Sequence, residues 1–225
     1  MTLIAVQRKT LGDFAMNDLL TLFDKHNTDK GSKKHFYDKV YEQHFMKVRY
    51  EHINILEIGV FKGESTAALH EYFPNATIYG LDIFVRQQPH EIAILNEERV
   101  KHLKADSLNP DVVELIKNAW PDVEFDIIID DGAHWPEANR LTFKHIIPFL
   151  KDDGKYFVED VWPFDIMTDK QLSDPWLLKD PAKYNRLAYA NFLNEFLAYD
   201  TTLYDTRKKS NGKFIGDSAV MMVTK

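Results

Sequence analysis

Two pairs of acidic residues, each directly after an apolar run, are the part of this sequence best suited to chemistry. Asp130 and Asp131 follow the run FDIII, and Glu159 and Asp160 follow KYFV. The carboxyl ends of parallel strands meet at one edge of an open α/β sheet, about 4.8 Å apart, so these four carboxylates are expected to crowd together. Crowded carboxylates repel one another unless they share a proton or bind a cation. The alternative is that they only end their strands and face water.

A cation site built from these acids would offer oxygen ligands. The chain has no cysteine, which excludes disulfides, thiolate chemistry and thiolate metal sites. Carboxylates favour Mg²⁺, Mn²⁺ or Ca²⁺ over zinc. His134 follows Asp130 in the loop over the same edge, and a histidine beside a divalent ion is either a ligand or a base. Because the acids can supply the ligands, we interpret His134 as a base; a structural role is the alternative.

A glycine turn provides a second candidate site. The segment INILEIGVFKGEST, residues 53–66, reads as a strand, a turn with Gly59 and Gly63, and a helix that begins near Ser65. Glycines let the backbone approach a ligand, and a helix start offers unpaired N–H groups. The Gly-x-x-x-Gly spacing does not meet the dinucleotide fingerprint, and Glu57 at the strand end would repel a pyrophosphate. We therefore favour S-adenosylmethionine (SAM) over NAD as the cofactor.

Two more acids end predicted strands beside that turn. Asp82 follows the run TIYGL, at close to the spacing of about 20 residues at which an acid accepts from a ribose hydroxyl. Asp106 follows VKHLK and a single alanine, where a side chain would lie beside the adenine. The alternatives are an acid that merely ends a strand for Asp82, and a helix cap for Asp106.

The remaining segments read as the scaffold that positions these residues. Two helical patterns come first, then five strand–helix units, and the tail around Asn211 and Gly212 reads as a β-hairpin. Right-handed crossovers predict a doubly wound α/β fold. It would have a seven-stranded, mainly parallel sheet with a C-terminal antiparallel hairpin, the Rossmann-like arrangement of class I methyltransferases. The two N-terminal helices, within residues 1–50, are expected to cap the cofactor edge.

Residues 161–181 follow the second acidic pair and read as an irregular, aromatic loop on the acceptor side of the site. Trp162 and Trp176 have flat apolar faces that could stack on a sugar or an aglycone. The alternative is that they pack the loop onto the core.

Length and composition predict one globular domain over residues 1–225. With 44% hydrophobic and 28% charged residues, the chain has ample core, and global disorder is not expected. The formal net charge of -7 argues against a nucleic-acid partner. The N-terminal apolar run is too short for a signal peptide, and no membrane span follows. We expect a cytoplasmic protein with a small-molecule acceptor and no membrane partner; whether it forms a homo-oligomer is open.

Five motifs, in this order, resemble a known family. They are TDK at residues 28–30, LEIGV at 56–60, GLDI at 80–83, FDIIIDDGAH at 125–134 and ED at 159–160. The set resembles the metal-dependent sugar O-methyltransferases of macrolide biosynthesis, class I SAM-dependent enzymes of the mycinamicin type. The resemblance implies SAM as methyl donor, Mg²⁺ held by Asp131, Glu159 and Asp160, and His134 as the base that deprotonates a sugar hydroxyl.

The resemblance also implies that residues 28–30 lie near the cofactor, although a plain helix–helix connection would have the same composition. The residues predicted to bind the cofactor are then Thr28, Lys30, Glu57, Gly59, Gly63, Ser65, Asp82, Asp106 and Asp130.

Two departures leave the acceptor open. The macrolide enzymes carry a large extra N-terminal domain where this chain has two short helices, and residues 161–181 show no match. A macrolide, a nucleotide sugar or a surface-glycan sugar fits equally well. A catechol-type O-methyltransferase is the nearest other enzyme. A metal-dependent hydroxylase would need an iron site with two histidines and a carboxylate, and only His134 is placed for that. A SAM-binding protein without catalysis would not need the acid–histidine cluster.

Overall fold

The computed structural model describes residues 7–9, 18–207, 209–210, 213–214 and 216–225, with side chains described for 18–207 and 216–225. The hairpin turn predicted at Asn211 and Gly212 lies outside the described residues, as does the first part of the helix predicted from residue 13.

Strands and helices alternate through most of the chain. The strands are β1 (Gln7–Lys9), β2 (Asn54–Ile58), β3 (Thr77–Asp82), β4 (Val100–Lys104), β5 (Phe125–Asp130), β6 (Leu150–Val158), β7 (Asp200–Asp205), β8 (Lys209–Ser210), β9 (Lys213–Phe214) and β10 (Ala219–Thr224). The helices are α1 (Asp18–Lys25), α2 (Asp38–Phe45), α3 (Glu64–Tyr72), α4 (Val112–Ala119), α5 (Pro136–Ile146), α6 (Asp169–Leu172), α7 (Pro175–Lys179) and α8 (Arg186–Glu195).

One sheet dominates the described residues, with its strands in the order β1-β7-β10-β6-β5-β2-β3-β4. The five strands from β2 to β6 are parallel to their neighbours among themselves, and β10 runs antiparallel to both β6 and β7. This confirms the predicted fold of seven strands with an antiparallel C-terminal pair. An eighth strand, β1, pairs in parallel with β7 at the edge; three residues are too short a run to give a strand pattern.

The central strands are apolar on both faces because helices cover both faces of the sheet. Alternate residues of a strand point to opposite sides. Ile55 of β2 therefore packs with side chains of α1, α2 and α3, whereas Leu56 packs with side chains of α4, α5 and α8. Burial of these two apolar layers fixes the strand register, and with it the position at which each strand ends.

Several element boundaries differ from those predicted. The helical segment expected around Ile92 and Leu95 consists of two short 3₁₀ turns, Pro89–Glu91 and Ala93–Asn96. The helix expected from Glu137 to Leu150 ends at Ile146, because a 3₁₀ turn with a proline follows and Leu150 already belongs to β6. Residues 161–181, expected to be irregular, contain the short helices α6 and α7. In the described part of the chain, no helix is long and apolar enough to cross a membrane.

The connection between α1 and α2 brings polar residues to the carboxyl edge of the sheet. It is folded on itself by backbone hydrogen bonds, in which the Tyr37 N–H donates to Lys30 O at 2.8 Å and the His35 N–H donates to Asp29 O at 3.0 Å. The Thr206 hydroxyl, just after β7, donates to His35 O at 2.9 Å. This connection therefore lies against the C-terminal half of the chain instead of projecting from the helices.

Candidate active site

The carboxyl edge of the sheet divides into two parts with different chemistry. We call the ends of β2, β3 and β4, with the turn after β2, the glycine half. The ends of β5 and β6, with the residues from the α1–α2 connection that contact them, form the acidic half.

Gly59 is required by close packing between the two halves. Its φ of +90° favours glycine, and a Cβ built there would lie 2.1 Å from the backbone oxygen of Asp131. Gly63 also has a positive φ, of +78°, and a Cβ there would lie 2.5 Å from Ile94. The two predicted glycines thus shape a turn that packs against Asp131, in the acidic half.

Glu57 is fully buried at the end of β2. The Thr66 hydroxyl, from the first turn of α3, donates to its Oε2, while Oε1 has no hydrogen-bond partner among the described residues. Burial raises the pKa of Glu57, and Lys30 together with the Ser65 and Thr66 hydroxyls acts in the opposite direction. A buried carboxylate oxygen without a partner is costly, so this atom is suited to accept a hydrogen bond from a ligand.

Asp82 ties the glycine turn to the end of β3. Its Oδ2 accepts the Phe61 N–H at 2.9 Å, and its Oδ1 accepts the Phe84 N–H at 2.6 Å. A carboxylate has about four lone-pair positions, so two remain for a ribose hydroxyl. Asp106 is exposed and accepts the Leu108 N–H at 2.9 Å. It does not cap α4, whose N-cap is Asp111.

Three side chains converge at the centre of the acidic half. His134 Nε2 lies 3.0 Å from Asp131 Oδ1, and His134 Nδ1 lies 3.1 Å from Asp160 Oδ2. One ligand atom from each of the three residues lies within 4.8 Å of the others, the spacing of a group that could hold a metal ion. Nε2, despite its short distance to Asp131, has no hydrogen bond of acceptable geometry.

The backbone here is strained at two of these residues. His134 has a φ of 62° and Asp160 a φ of 53°. The left-handed region is uncommon for residues other than glycine, and such strain concentrates at functional sites. The side chains of these two residues meet at the edge of the sheet, where His134 Nδ1 contacts Asp160 Oδ2.

Glu159 points the other way, into the protein. It is 1% exposed, accepts a hydrogen bond from the Tyr41 hydroxyl on Oε1, and contacts the Lys30 ammonium through Oε2. The same ammonium lies 2.6 Å from Asp131 Oδ2. Lys30, predicted to lie near the cofactor, therefore contacts two of the predicted metal ligands. Burial lowers the pKa of Lys30, but the charges of Asp131 and Glu159 raise it well above its usual value.

Two tyrosines of the acidic half were not predicted as site residues from the sequence. The Tyr37 hydroxyl donates to Asp160 Oδ1 at 2.6 Å, and Tyr41 binds Glu159 as described. They are four residues apart at the start of α2, so they share one face of the helix. The signal was present in the aromatic pattern of α2, but that pattern also fits plain core packing.

The remaining predicted residues have structural contacts of their own. Asp130 is 1% exposed, and it accepts the Gly132 N–H at 3.2 Å and the Asn139 amide at 3.5 Å. Burial raises the pKa of Asp130 to about 7. These bonds hold the loop that carries Asp131 and His134. Thr28 is buried and accepts the Lys30 N–H at 3.4 Å.

The two predicted acceptor tryptophans differ in environment. Trp162 is 5% exposed, and its ring covers Gly216 so closely that a Cβ there would lie 2.4 Å from it. Trp176 is 55% exposed and donates from Nε1 to the Tyr184 hydroxyl at 3.2 Å. The burial of Trp162 supports the packing alternative, whereas more than half of the Trp176 surface is exposed, with the Lys179 ammonium 5.1 Å from its ring centroid.

The acidic half fits a divalent cation and the glycine half fits SAM. Asp131 and Asp160 present the hard oxygen donors that Mg²⁺ or Mn²⁺ favours, and a nitrogen of His134 without a hydrogen bond lies beside them. In the glycine half, the unpaired Oε1 of Glu57 and the lone pairs of Asp82 offer acceptors for an ammonium and a ribose. Glu159 is less suited than the other acids, because both of its oxygens already have partners.

Comparisons with known proteins agree with this geometry. A family model described as a methyltransferase domain matches residues 56–161. The chain is 32% identical over 156 residues to the demethylmacrocin O-methyltransferase of Streptomyces fradiae, a match that covers 66% of this chain and 37% of that protein. It is 30% identical over 152 residues to an 8-demethyl-8-(2-methoxy-alpha-L-rhamnosyl)-tetracenomycin-C 3'-O-methyltransferase of Streptomyces olivaceus, covering 64% and 37%. The matched region thus spans little more than a third of the relatives' length.

A solved structure shares the fold. The MycE methyltransferase from the mycinamycin biosynthetic pathway, solved in complex with Mg, SAH and mycinamycin VI, aligns with a TM-score of 0.65 at 24% identity. The alignment covers 94% of this chain and 55% of that one. The shared architecture is the doubly wound sheet described above.

Proposed function

We propose that this chain transfers the methyl group of SAM to a hydroxyl of a sugar or glycosylated small molecule. The premise is that the chain carries a methyltransferase domain related in sequence to sugar O-methyltransferases. Mg²⁺ is the proposed metal cofactor. The observation that carries the proposal is the placement of His134 between Asp131 and Asp160, at the sheet edge next to the glycine turn. Both sequence relatives named above are O-methyltransferases, and the name of one of them includes a rhamnosyl-bearing substrate.

The residues divide between the two halves of the edge. We assign Glu57, Asp82 and the glycine turn to SAM, because they supply buried or strand-end acceptors around a closely packed backbone. We assign Asp131 and Asp160 to the metal. Glu159, which contacts Lys30 and Tyr41, lies further inside the protein. Such an ion, when bound, would lower the pKa of a hydroxyl held against it and so make it a better nucleophile.

His134 acts as the general base in this proposal. Burial lowers the pKa of His134, but Asp160 and Asp131 raise it well above its usual value. The negative charge of these two acids favours a protonated ring. That charge must therefore be offset before Nε2 can accept a proton. Asp160 contacts Nδ1 and orients the ring, which leaves Nε2 as the atom that takes the acceptor's proton while the acceptor oxygen attacks the SAM methyl.

The acceptor is proposed to be a sugar hydroxyl because the printed name of the Streptomyces olivaceus relative gives a rhamnosyl-bearing compound as its substrate. Trp176, exposed on α7, is the candidate for stacking on the sugar or aglycone. A catechol-type acceptor remains the second candidate within methyl transfer. The hydroxylase alternative is less well supported, because the metal-binding group contains one histidine and not two.

Metal removal tests the proposal. Methyl transfer from labelled SAM to a panel of glycosides and catechols is measured with EDTA and again with Mg²⁺ restored. We expect EDTA to abolish transfer and Mg²⁺ to restore it. We expect Asp131→Ala to lose most of the activity and Asp152→Ala, a change at a side chain that is 98% exposed, to keep it. Full activity in EDTA, or transfer to catechols alone, would refute the assignment.

A further inference from the structure

Lys30 is a buried cation whose contacts differ from those of the other lysines. Its side chain is 2% exposed, and it is the only lysine among the buried residues of the described ranges. Its ammonium contacts Asp131 and Glu159. The chemistry proposed above gives Lys30 no step, and its ammonium contacts carboxylates. A buried lysine that does no chemistry needs another explanation, because burying a charge is costly.

The charges of the acidic half give that explanation. Asp131, Glu159 and Asp160 are all at most one-fifth exposed, and they lie within contact distance of the same few groups. Three such carboxylates would repel one another strongly in a buried setting. Lys30 supplies one positive charge, and a divalent ion supplies two. With both present, the charge of the three carboxylates is balanced.

The contacts of Glu159 show that Lys30 also fixes geometry. Glu159 has Tyr41 on one oxygen and Lys30 on the other. Lys30 bridges from there to Asp131, across the gap between the ends of β6 and β5. It thus links the two strand ends whose acids face the proposed metal.

We propose that Lys30 is a positioning residue that holds Asp131 and Glu159 in place and offsets their charge, so that the acidic half is folded before a divalent ion binds. This inference rests on the proposed function only where it concerns the ion. In this role Lys30 acts through the carboxylates that it contacts. Without it, the carboxylates depend on the ion both for charge balance and for their arrangement.

Thermal unfolding of a mutant series tests the proposal. The variants are Lys30→Met, Glu159→Gln and the double variant, each melted in EDTA and in Mg²⁺. Lys25→Met is the matched control, because Lys25 also pairs with a glutamate, Glu71 at 2.7 Å, but is 56% exposed. Breaking a buried ion pair is far more damaging than breaking an exposed one.

In EDTA we expect Lys30→Met to lower the Tm by about 10 °C and Lys25→Met by about 2 °C or less. The double variant lacks both charges of the pair, so its Tm should lie above that of Lys30→Met. We expect Mg²⁺ to raise the Tm of Lys30→Met more than that of the parent, because the ion then supplies charge that Lys30 no longer does. If Lys30→Met does not fold at all, the double variant is expected to fold.

Two results would overturn the positioning role of Lys30. One is a Lys30→Met variant as stable in EDTA as the parent. The other is a double variant no more stable than Lys30→Met, which would show that Lys30 and Glu159 are not coupled. Equal responses to Mg²⁺ in Lys30→Met and in the parent would overturn the charge-balance role. An absence of any Mg²⁺ response in all the proteins would instead refute the metal of the proposed function, and the EDTA series would still decide the role of Lys30.

Discussion

The two halves of the carboxyl edge are built in opposite ways. The glycine half relies on backbone: Gly59 and Gly63 have positive φ, and Asp82 binds the N–H groups of Phe61 and Phe84. The acidic half relies on charged side chains, with Lys30 and His134 set against three buried or half-buried carboxylates. One sheet edge can thus present two kinds of site side by side. One is a surface shaped by the backbone, and the other is a cluster of charges that a bound cation would balance.

Burial acts on the pKa of acids in both halves. Burial raises the pKa of Glu57, although Lys30 and the Ser65 and Thr66 hydroxyls act in the opposite direction. Burial also acts on Asp160, but His134 and His35 hold the pKa of that carboxyl well below its usual range. Burial also raises the pKa of Glu159, in the acidic half, well above its usual value, so Asp160 differs from its own neighbour because of the two histidines that face it.

The largest effect should come from the base of the acidic half. We expect His134→Ala to lower turnover by about 10²–10⁴-fold, the usual contribution of general base catalysis. SAM affinity should not change, because the glycine half is intact. His52→Ala, at an exposed histidine before β2, is the control. Steady-state kinetics measure turnover, and calorimetry measures SAM affinity. A loss of SAM affinity equal to the loss of turnover would show that the two halves do not act independently.

The next effect concerns stability on the acceptor side. We expect Trp162→Ala to reduce the free energy of unfolding by about 3–5 kcal/mol, because its buried ring leaves a cavity. Trp176→Ala should change it by at most about 0.5 kcal/mol and raise the acceptor KM. Chemical denaturation measures the first and kinetics the second. A stable Trp162→Ala enzyme with a raised KM would return Trp162 to the role of an acceptor platform.

A smaller effect is expected in the glycine half. Asp82→Ala should weaken SAM binding by about 1.5–3 kcal/mol, the contribution of hydrogen bonds to a charged acceptor. Asp106→Ala should weaken it less, because Asp106 is exposed and only closes a local turn. Isothermal titration of both variants gives the comparison. If Asp106→Ala were the more damaging of the two, the adenine contact would outweigh the ribose contact and the ranking within this half would be wrong.

The glycine half could be predicted from sequence because each of its residues stands at the end of a locally patterned strand. The turn after β2 and Asp82 belong to neighbouring strand–turn segments, and the Asp82 contact with Phe84 spans two residues. Hydrophobic runs ending in glycine or an acid are sufficient to locate such positions. The fold was predictable for the same reason, since each strand and helix carries its own pattern. Short elements such as β1 and α6 carry too few residues for a pattern to be recognised.

The acidic half could be predicted only in part. Asp131, His134, Glu159 and Asp160 stand at strand ends, where their types and positions are informative. Their partners come from the α1–α2 connection, and the contact from Lys30 to Glu159 spans 129 residues. No periodicity relates positions so far apart. The ligand set implied by the resemblance also treats Glu159 like the other acids, whereas its contacts with Lys30 and Tyr41 set it apart, and those contacts exist only in the folded chain.

The long reach of these contacts has a consequence for the order of folding. Closing a large loop costs chain entropy before any contact repays it, so contacts between distant residues form late. The bonds from Lys30 and Tyr37 to the strand ends span 101 to 129 residues. On the ribosome, which releases the N-terminus first, Lys30 emerges long before the acids that will surround it. The glycine turn can take shape on a partly made chain, and the acidic half is completed only once β6 has joined the sheet.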